Sequence, residues 1–147
     1  MDDRALQAIE FPRALELLAE RCVSEPGGRS ARALRPVTDP ALVRVLLDET
    51  AEVLSLVEAG ERLPLVPVED PAPPLEDVRR RGGVLQPEEL LGVLALLAAA
   101  AGLAQFLGAR TGRLPRLAGR MAGADLLRPL AARIRRVIDE RGGVRDE

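Results

Sequence analysis

The sequence contains no histidine, lysine, tyrosine, tryptophan or asparagine, and only one cysteine. Each absence removes a class of chemistry. Histidine is the usual general base near neutral pH and the commonest metal ligand. Lysine is the usual Schiff-base nucleophile and the cation that completes a phosphate-binding loop. Carboxylates, arginines, three serines and three threonines are left to do reactive work. That inventory argues against a free-standing enzyme. The lone Cys22 has no internal disulfide partner and suits a reducing compartment. It continues an apolar pattern from Leu17 and Leu18, which is the setting of a small buried hydrophobe. The opening Met1-Asp2-Asp3 lacks the basic and apolar regions of a signal peptide. The longest apolar run, Leu90 to Ala104, falls short of the roughly 20 residues a membrane span needs, while the uncharged stretch continues through Gln105 to Ala109 and makes a span borderline by length. A buried helix in a cytoplasmic protein, with no membrane partner, is the expectation.

What is present is leucine, alanine, valine and arginine. Leucine and alanine favour helices, whereas strands prefer β-branched and aromatic residues. The 147 residues therefore predict an all-α fold, an irregular bundle of about six to eight helices. The net charge of -2 attracts no polyanion globally. The charge is uneven, however. Up to Pro74, acids outnumber arginines fourteen to eight, and from Leu75 onward arginines outnumber acids thirteen to nine. A mildly basic C-terminal half hints at a polyanionic partner.

Punctuation residues divide the chain. Asp3 is placed to cap a helix over 4–10, and Pro12 opens a second with Leu15, Leu18 and Cys22 on one side. Pro26-Gly27-Gly28 reads as a break, followed by a short helix over 29–34. Asp39-Pro40 is a cap and first-turn pair that starts a helix to about Ala59. Leu42, Val45, Leu46, Val53, Leu56 and Val57 form its apolar stripe, and Gly60 ends it. Five prolines between Leu63 and Pro74 exclude a regular helix or central strand. This connector, 63–74, is expected to lie extended with Leu65, Val66 and Val68 tucked in, with room for a short strand over 65–68. It is the seam between candidate subassemblies 1–62 and 75–147 of a domain spanning 1–147.

A helix over 75–81 ends at Gly82-Gly83. Gln86-Pro87-Glu88-Glu89 opens the longest helix, to about Arg110, with acids where the helix dipole favours them. It is apolar all round, which predicts the central helix of a bundle or a helix whose second face meets another chain. Leu91, Leu94 and Phe106 are the candidate self-association residues. A short helix over 115–121 and a last one over 126–140, capped by Asp125, complete the pattern.

No paired glycines sit in a phosphate-loop context. Asp48-Glu49-Glu52 and the adjacent acid pairs read as solvated surface, so no metal site and no cofactor are expected. The arginine groups are the notable polar feature. Arg79, Arg80, Arg81, Arg133 and Arg136 are the candidate nucleic-acid contacts, because arginine suits phosphate. Only Phe106 offers an aromatic in that half, so base stacking is not expected. A solvated face salt-bridged to neighbouring acids is the competing reading.

The order of these signals is itself informative. Ile9-Glu10-Phe11, then LLAERCVSEPGGRSARALRPVTDPALVRVLLDETAEV from Leu17, lead to Gly82-Gly83-Val84-Leu85 with Pro87-Glu88-Glu89-Leu90. The chain closes on Ile138-Asp139-Glu140-Arg141-Gly142-Gly143-Val144-Arg145-Asp146. This order resembles the N-terminus of the bacterial MutS paralogues of the second type, the branch that carries a C-terminal Smr domain. The resemblance covers essentially the whole chain. It implies a fragment, ahead of lever helices, an ATP-binding domain and a nuclease domain. It implies a parent that is an ATPase and a nuclease candidate, works as a homodimer, and closes on branched DNA or ribosome-associated nucleic acid in recombination suppression or ribosome rescue. The segment itself is then expected to be a non-catalytic core scaffold for dimerisation and clamp closure. Its partners would be the rest of the parent chain and, through the parent, DNA or the ribosome. The alternative is a direct nucleic-acid-binding module that uses the arginine-rich half.

Overall fold

Proline and glycine cut the chain into eight helices among the described residues: α1 (Asp3–Ala8), α2 (Phe11–Ala19), α3 (Glu25–Arg32), α4 (Pro40–Glu58), α5 (Ala72–Arg81), α6 (Pro87–Gly108), α7 (Pro115–Ala122) and α8 (Arg128–Val137). The structure is a computed structural model that describes residues 3–139 and 141–143. No strand occurs among them, so the connector forms none over 65–68. The all-α class stands.

Local chemistry explains the helix starts. The Asp39 carboxylate accepts the Ala41 N–H at 2.9 Å, with Pro40 in the first turn of α4. The Glu89 carboxylate accepts the Gln86 N–H at 2.7 Å and closes the first turn of α6. One start differs from expectation. Ser24 Oγ accepts the Gly27 N–H at 3.3 Å, so α3 begins at Glu25 and takes Pro26, Gly27 and Gly28 into its first turns. The glycine pair is not a break here. Gly28 is buried, and its bare Cα faces the Ala19 carbonyl of α2. At Gly82 and Gly83 the helix-end role holds, because φ is +75° and +113°, which other residues rarely adopt.

Two packing groups result. α2 packs on α1 and α3, through Leu15 and Ala19 of α2 and Ala31 of α3. Leu18, expected inside, is 47% exposed, and Cys22 is half-buried with Sγ 3.5 Å from the Leu18 carbonyl. In the second group α7 lies against both α4 and α6, and α8 packs on α6. Its core is Leu56 of α4, Leu107 of α6 and Leu114 before α7, ringed by Leu63, Leu103, Phe106, Leu117 and Met121. Leu56 and Leu114 are 1% and 0% exposed. Full burial of each such leucine stabilises the fold by about 1.5–3 kcal/mol.

The α4 stripe is only partly covered. Leu56 is buried and Val45 and Val53 are half-buried, but Leu42, Leu46 and Val57 are exposed, because α7 and the end of α6 cover only part of α4. Nor is α6 buried on all sides. Leu107 is its one buried residue among those described, and Ala95, Ala98, Gly102 and Gln105 are exposed. By length and composition α6 could cross a membrane, and little of it is buried within the structure.

The connector is tied down at one end. Val68 and Pro71 are buried, while Leu65 and Val66 stay about half exposed. The Val68 carbonyl accepts the Glu25 N–H at 3.0 Å, and the Glu25 carboxylate accepts the Asp70 N–H at 2.8 Å. Asp70 then accepts the Ala72 N–H at 3.0 Å to start α5, and pairs with Arg29 at 2.9 Å. These bonds join the connector to the first turns of α3.

The last helix is shorter than its apolar pattern. Asp125 accepts the Leu127 N–H at 2.9 Å, Leu127 takes a left-handed conformation (φ +46°), and α8 starts at Arg128. Beyond Val137, the Asp139 carboxylate accepts the N–H groups of Arg141 and Gly143, both at 2.8 Å. Glu140, Val144, Arg145 and Asp146, expected to continue this end of the chain, lie outside the described residues.

Candidate nucleic-acid interface

Most arginines that flank α7 are bound to carboxylates of the chain itself. Asp48, Glu49 and Glu52 project from α4 onto α7: Asp48 stays exposed, as a solvated face would be, but Glu49 and Glu52 are half-buried against α7. Arg116 Nη2 donates to Asp48 at 3.2 Å, and Arg120 Nε donates to Glu49. Glu52 does something different. Its two carboxylate oxygens accept the backbone N–H groups of Arg116 and Leu117, at 2.8 and 3.0 Å. α7 has no capping side chain of its own, so a carboxylate from α4 caps it.

The turn between α6 and α7 repeats the theme. Glu61 accepts from Arg110 Nη2 at 3.2 Å and from Arg113. Arg113 also donates to the Ser55 carbonyl at 2.6 Å, and the Arg110 guanidinium lies 3.8 Å over the Phe106 ring. The Arg113 hydrogen bond, helped by Arg110, holds the Glu61 carboxyl below its usual range against a smaller opposing effect of burial. The hydrogen bond to Glu49 raises Arg120 above the usual arginine value. These groups tie helices together.

The sequence candidates divide on the same criterion. Arg79, Arg80 and Arg81 are exposed in the last turn of α5. Arg81 pairs with Asp77 at 3.0 Å and Arg80 approaches it at 3.9 Å. Arg133 and Arg136 are exposed on α8, and among the described residues they have no ion pair. α5 does not pack on α8, so the two groups do not form one patch through helix contact. Two further arginines of α8, Arg128 and Arg135, are not among the contacts expected from the sequence. Both are exposed, and they line a concavity of about 800 Å³ with Ala98, Ala101, Gly102 and Gln105 of α6. The seven-residue interval between them was the available signal, because it places both on one side of a helix.

Of the candidate self-association residues, Leu91 and Leu94 are half-buried on α6. Phe106 packs against the Leu56–Leu107–Leu114 core and under Arg110. An apolar groove of about 510 Å³ runs between the α2–α3 turn, the connector and α6, past Cys22, Val66, Leu96 and Leu103.

Comparison with known proteins gives a consistent result. The chain is 36% identical over 147 residues to a protein of Symbiobacterium thermophilum named Endonuclease MutS2, covering 100% of this chain and 18% of that protein. It is 36% identical to the protein of the same name from Geobacillus kaustophilus, covering 99% of this chain and 19% of that one. The protein of that name from Anaeromyxobacter is 37% identical, covering 99% and 18%. The chain thus spans about a fifth of the length of the curated relatives it matches. No family model matches the chain. No solved structure matches it.

Proposed function

The chain belongs to the MutS2 family as a segment of its N-terminal region, and from that premise we propose that it is the family's non-catalytic core scaffold. In this reading it braces the rest of a much longer polypeptide, supports dimerisation and assists clamp closure on branched DNA or ribosome-associated nucleic acid. The parent supplies the ATPase, and the nuclease activity that the relatives' name carries. The observation that carries the reading is the tying of α4 to α7. Asp48, Glu49 and Glu52 all hold α7 in place. Polar groups used this way fix helix positions and do no chemistry. The absence of histidine and lysine from the whole chain supports the same reading.

Purified chain assayed for ATP hydrolysis and for cleavage of branched DNA should show neither above buffer. ATP hydrolysis that survives repurification would overturn the scaffold reading. A second reading, direct contact with nucleic acid, is favoured by one observation: the exposed arginines of α8 have no carboxylate partner among the described residues, unlike those around α7.

A further inference from the structure

We propose that the concavity between α6 and α8 seats the phosphodiester backbone of a nucleic acid, gripped by Arg128 and Arg135. The proposal rests on the second reading above and names its site. Seven residues separate the two arginines on α8, so their Cα atoms lie about 10.5 Å apart along the helix axis and on one side of it. Arginine's planar fork suits phosphate oxygens, and neither guanidinium has an ion-pair partner among the described residues. From Leu126 to Ile138 the sequence contains no acid. The flanking acids are committed elsewhere, Asp125 to the Leu127 N–H and Asp139 to the N–H groups of Arg141 and Gly143.

The floor of the concavity supports this assignment. Ala98, Ala101 and Gly102 have no side chain beyond Cβ, so a bulky backbone can approach α6 closely. Gln105 adds an uncharged amide at the edge. A protein ligand would want a pocket for a buried anchor side chain, and this shallow, small-residue floor provides none. A sugar-phosphate backbone needs only evenly placed cations and clearance. With no aromatic lining the site, binding is insensitive to base sequence.

The test is a fluorescence anisotropy titration of the 147-residue chain against duplex, branched and single-stranded DNA at several salt concentrations. The double variant Arg128→Gln/Arg135→Gln should reduce the slope of log K against log salt by about 2, one for each arginine withdrawn from a phosphate. The charge-matched double variant Arg44→Gln/Arg62→Gln, at two exposed arginines outside every candidate contact group, should leave that slope nearly unchanged, and circular dichroism melts should show all three proteins folded. Equal slope changes in both variants would reduce the effect to net charge and overturn the site. Unchanged binding in Arg128→Gln/Arg135→Gln would overturn the site and leave the nucleic-acid reading standing. Failure of every DNA form to bind at low salt would remove both. Binding to phosphatidylglycerol vesicles without binding to DNA would also overturn the proposal.

Discussion

Replacing Glu52 with alanine isolates the tie between α4 and α7. The side chain accepts two first-turn N–H groups of α7, at 2.8 and 3.0 Å, and α7 has no other side-chain cap. Loss of a capping acceptor costs about 0.5–2 kcal/mol. Loss of a negative charge at a helix N-terminus costs a further 0.3–1 kcal/mol or so. Alanine's better helix propensity within α4 returns a few tenths. The net expectation for Glu52→Ala is a destabilisation of about 1–2 kcal/mol. Glu52→Gln keeps an acceptor and loses the charge, so its cost should be about half of that. Asp48→Ala removes a solvent-screened ion pair whose partners are 49% and 50% exposed, and should cost less than about 0.5 kcal/mol. Urea denaturation followed by circular dichroism measures all three. For a chain of this size the Glu52→Ala melt should fall by about 3–6 °C. If Glu52→Ala and Asp48→Ala proved equally mild, Glu52 would be one more surface charge and the capping argument would be wrong.

Two further outcomes follow from the core and the turn. Leu56→Ala, at a site 1% exposed between Leu107 and Leu114, should destabilise by about 2–5 kcal/mol with an unchanged urea m-value; a cost below about 1 kcal/mol would show that this cluster is not the core. Because Arg113 and Arg110 depress the folded-state value of Glu61, its contribution is present above the usual 4.5 and is lost as pH falls through the lowered value. Wild type should therefore exceed Glu61→Gln in stability by a constant margin above pH 4.5, and the margin should close in more acidic solution; a margin independent of pH would refute the pairing.

The helix starts that carried a complete local signal were legible. Asp39-Pro40 and Gln86-Pro87-Glu88-Glu89 each supply an acceptor, a first-turn proline or a reciprocal acid, and α4 and α6 begin there. Ser24-Glu25-Pro26 carries the same signal, but the glycine pair behind it obscured it. Glycine weakens a helix by only about 1 kcal/mol, and close packing of α3 on α2 outweighs that. The left-handed Leu127 that delays α8 has no sequence signature, since leucine seldom adopts that conformation. The arginine site was half legible. Spacing alone could have grouped Arg128 with Arg135, but only the packing of α8 on α6 shows which side of the helix opens onto a concavity. The α4–α7 ties lay hidden for a similar reason. Acids at 48 and 52 and arginines at 116 and 120 share a four-residue interval, yet an interval does not name its partner.

The distance along the chain between those partners sets an order of events during synthesis. The bonds from α4 to α7 join residues 64 to 71 positions apart. At ribosomal rates of about 5–20 residues per second, α4 waits roughly 3–14 s after it is made before the α7 arginines exist. Through that interval its three carboxylates stand unopposed by α7. By contrast, α1, α2 and α3 have all their helix partners within the first 32 residues. The N-terminal trio can therefore close while α4 is still waiting, so the two packing groups form at different times.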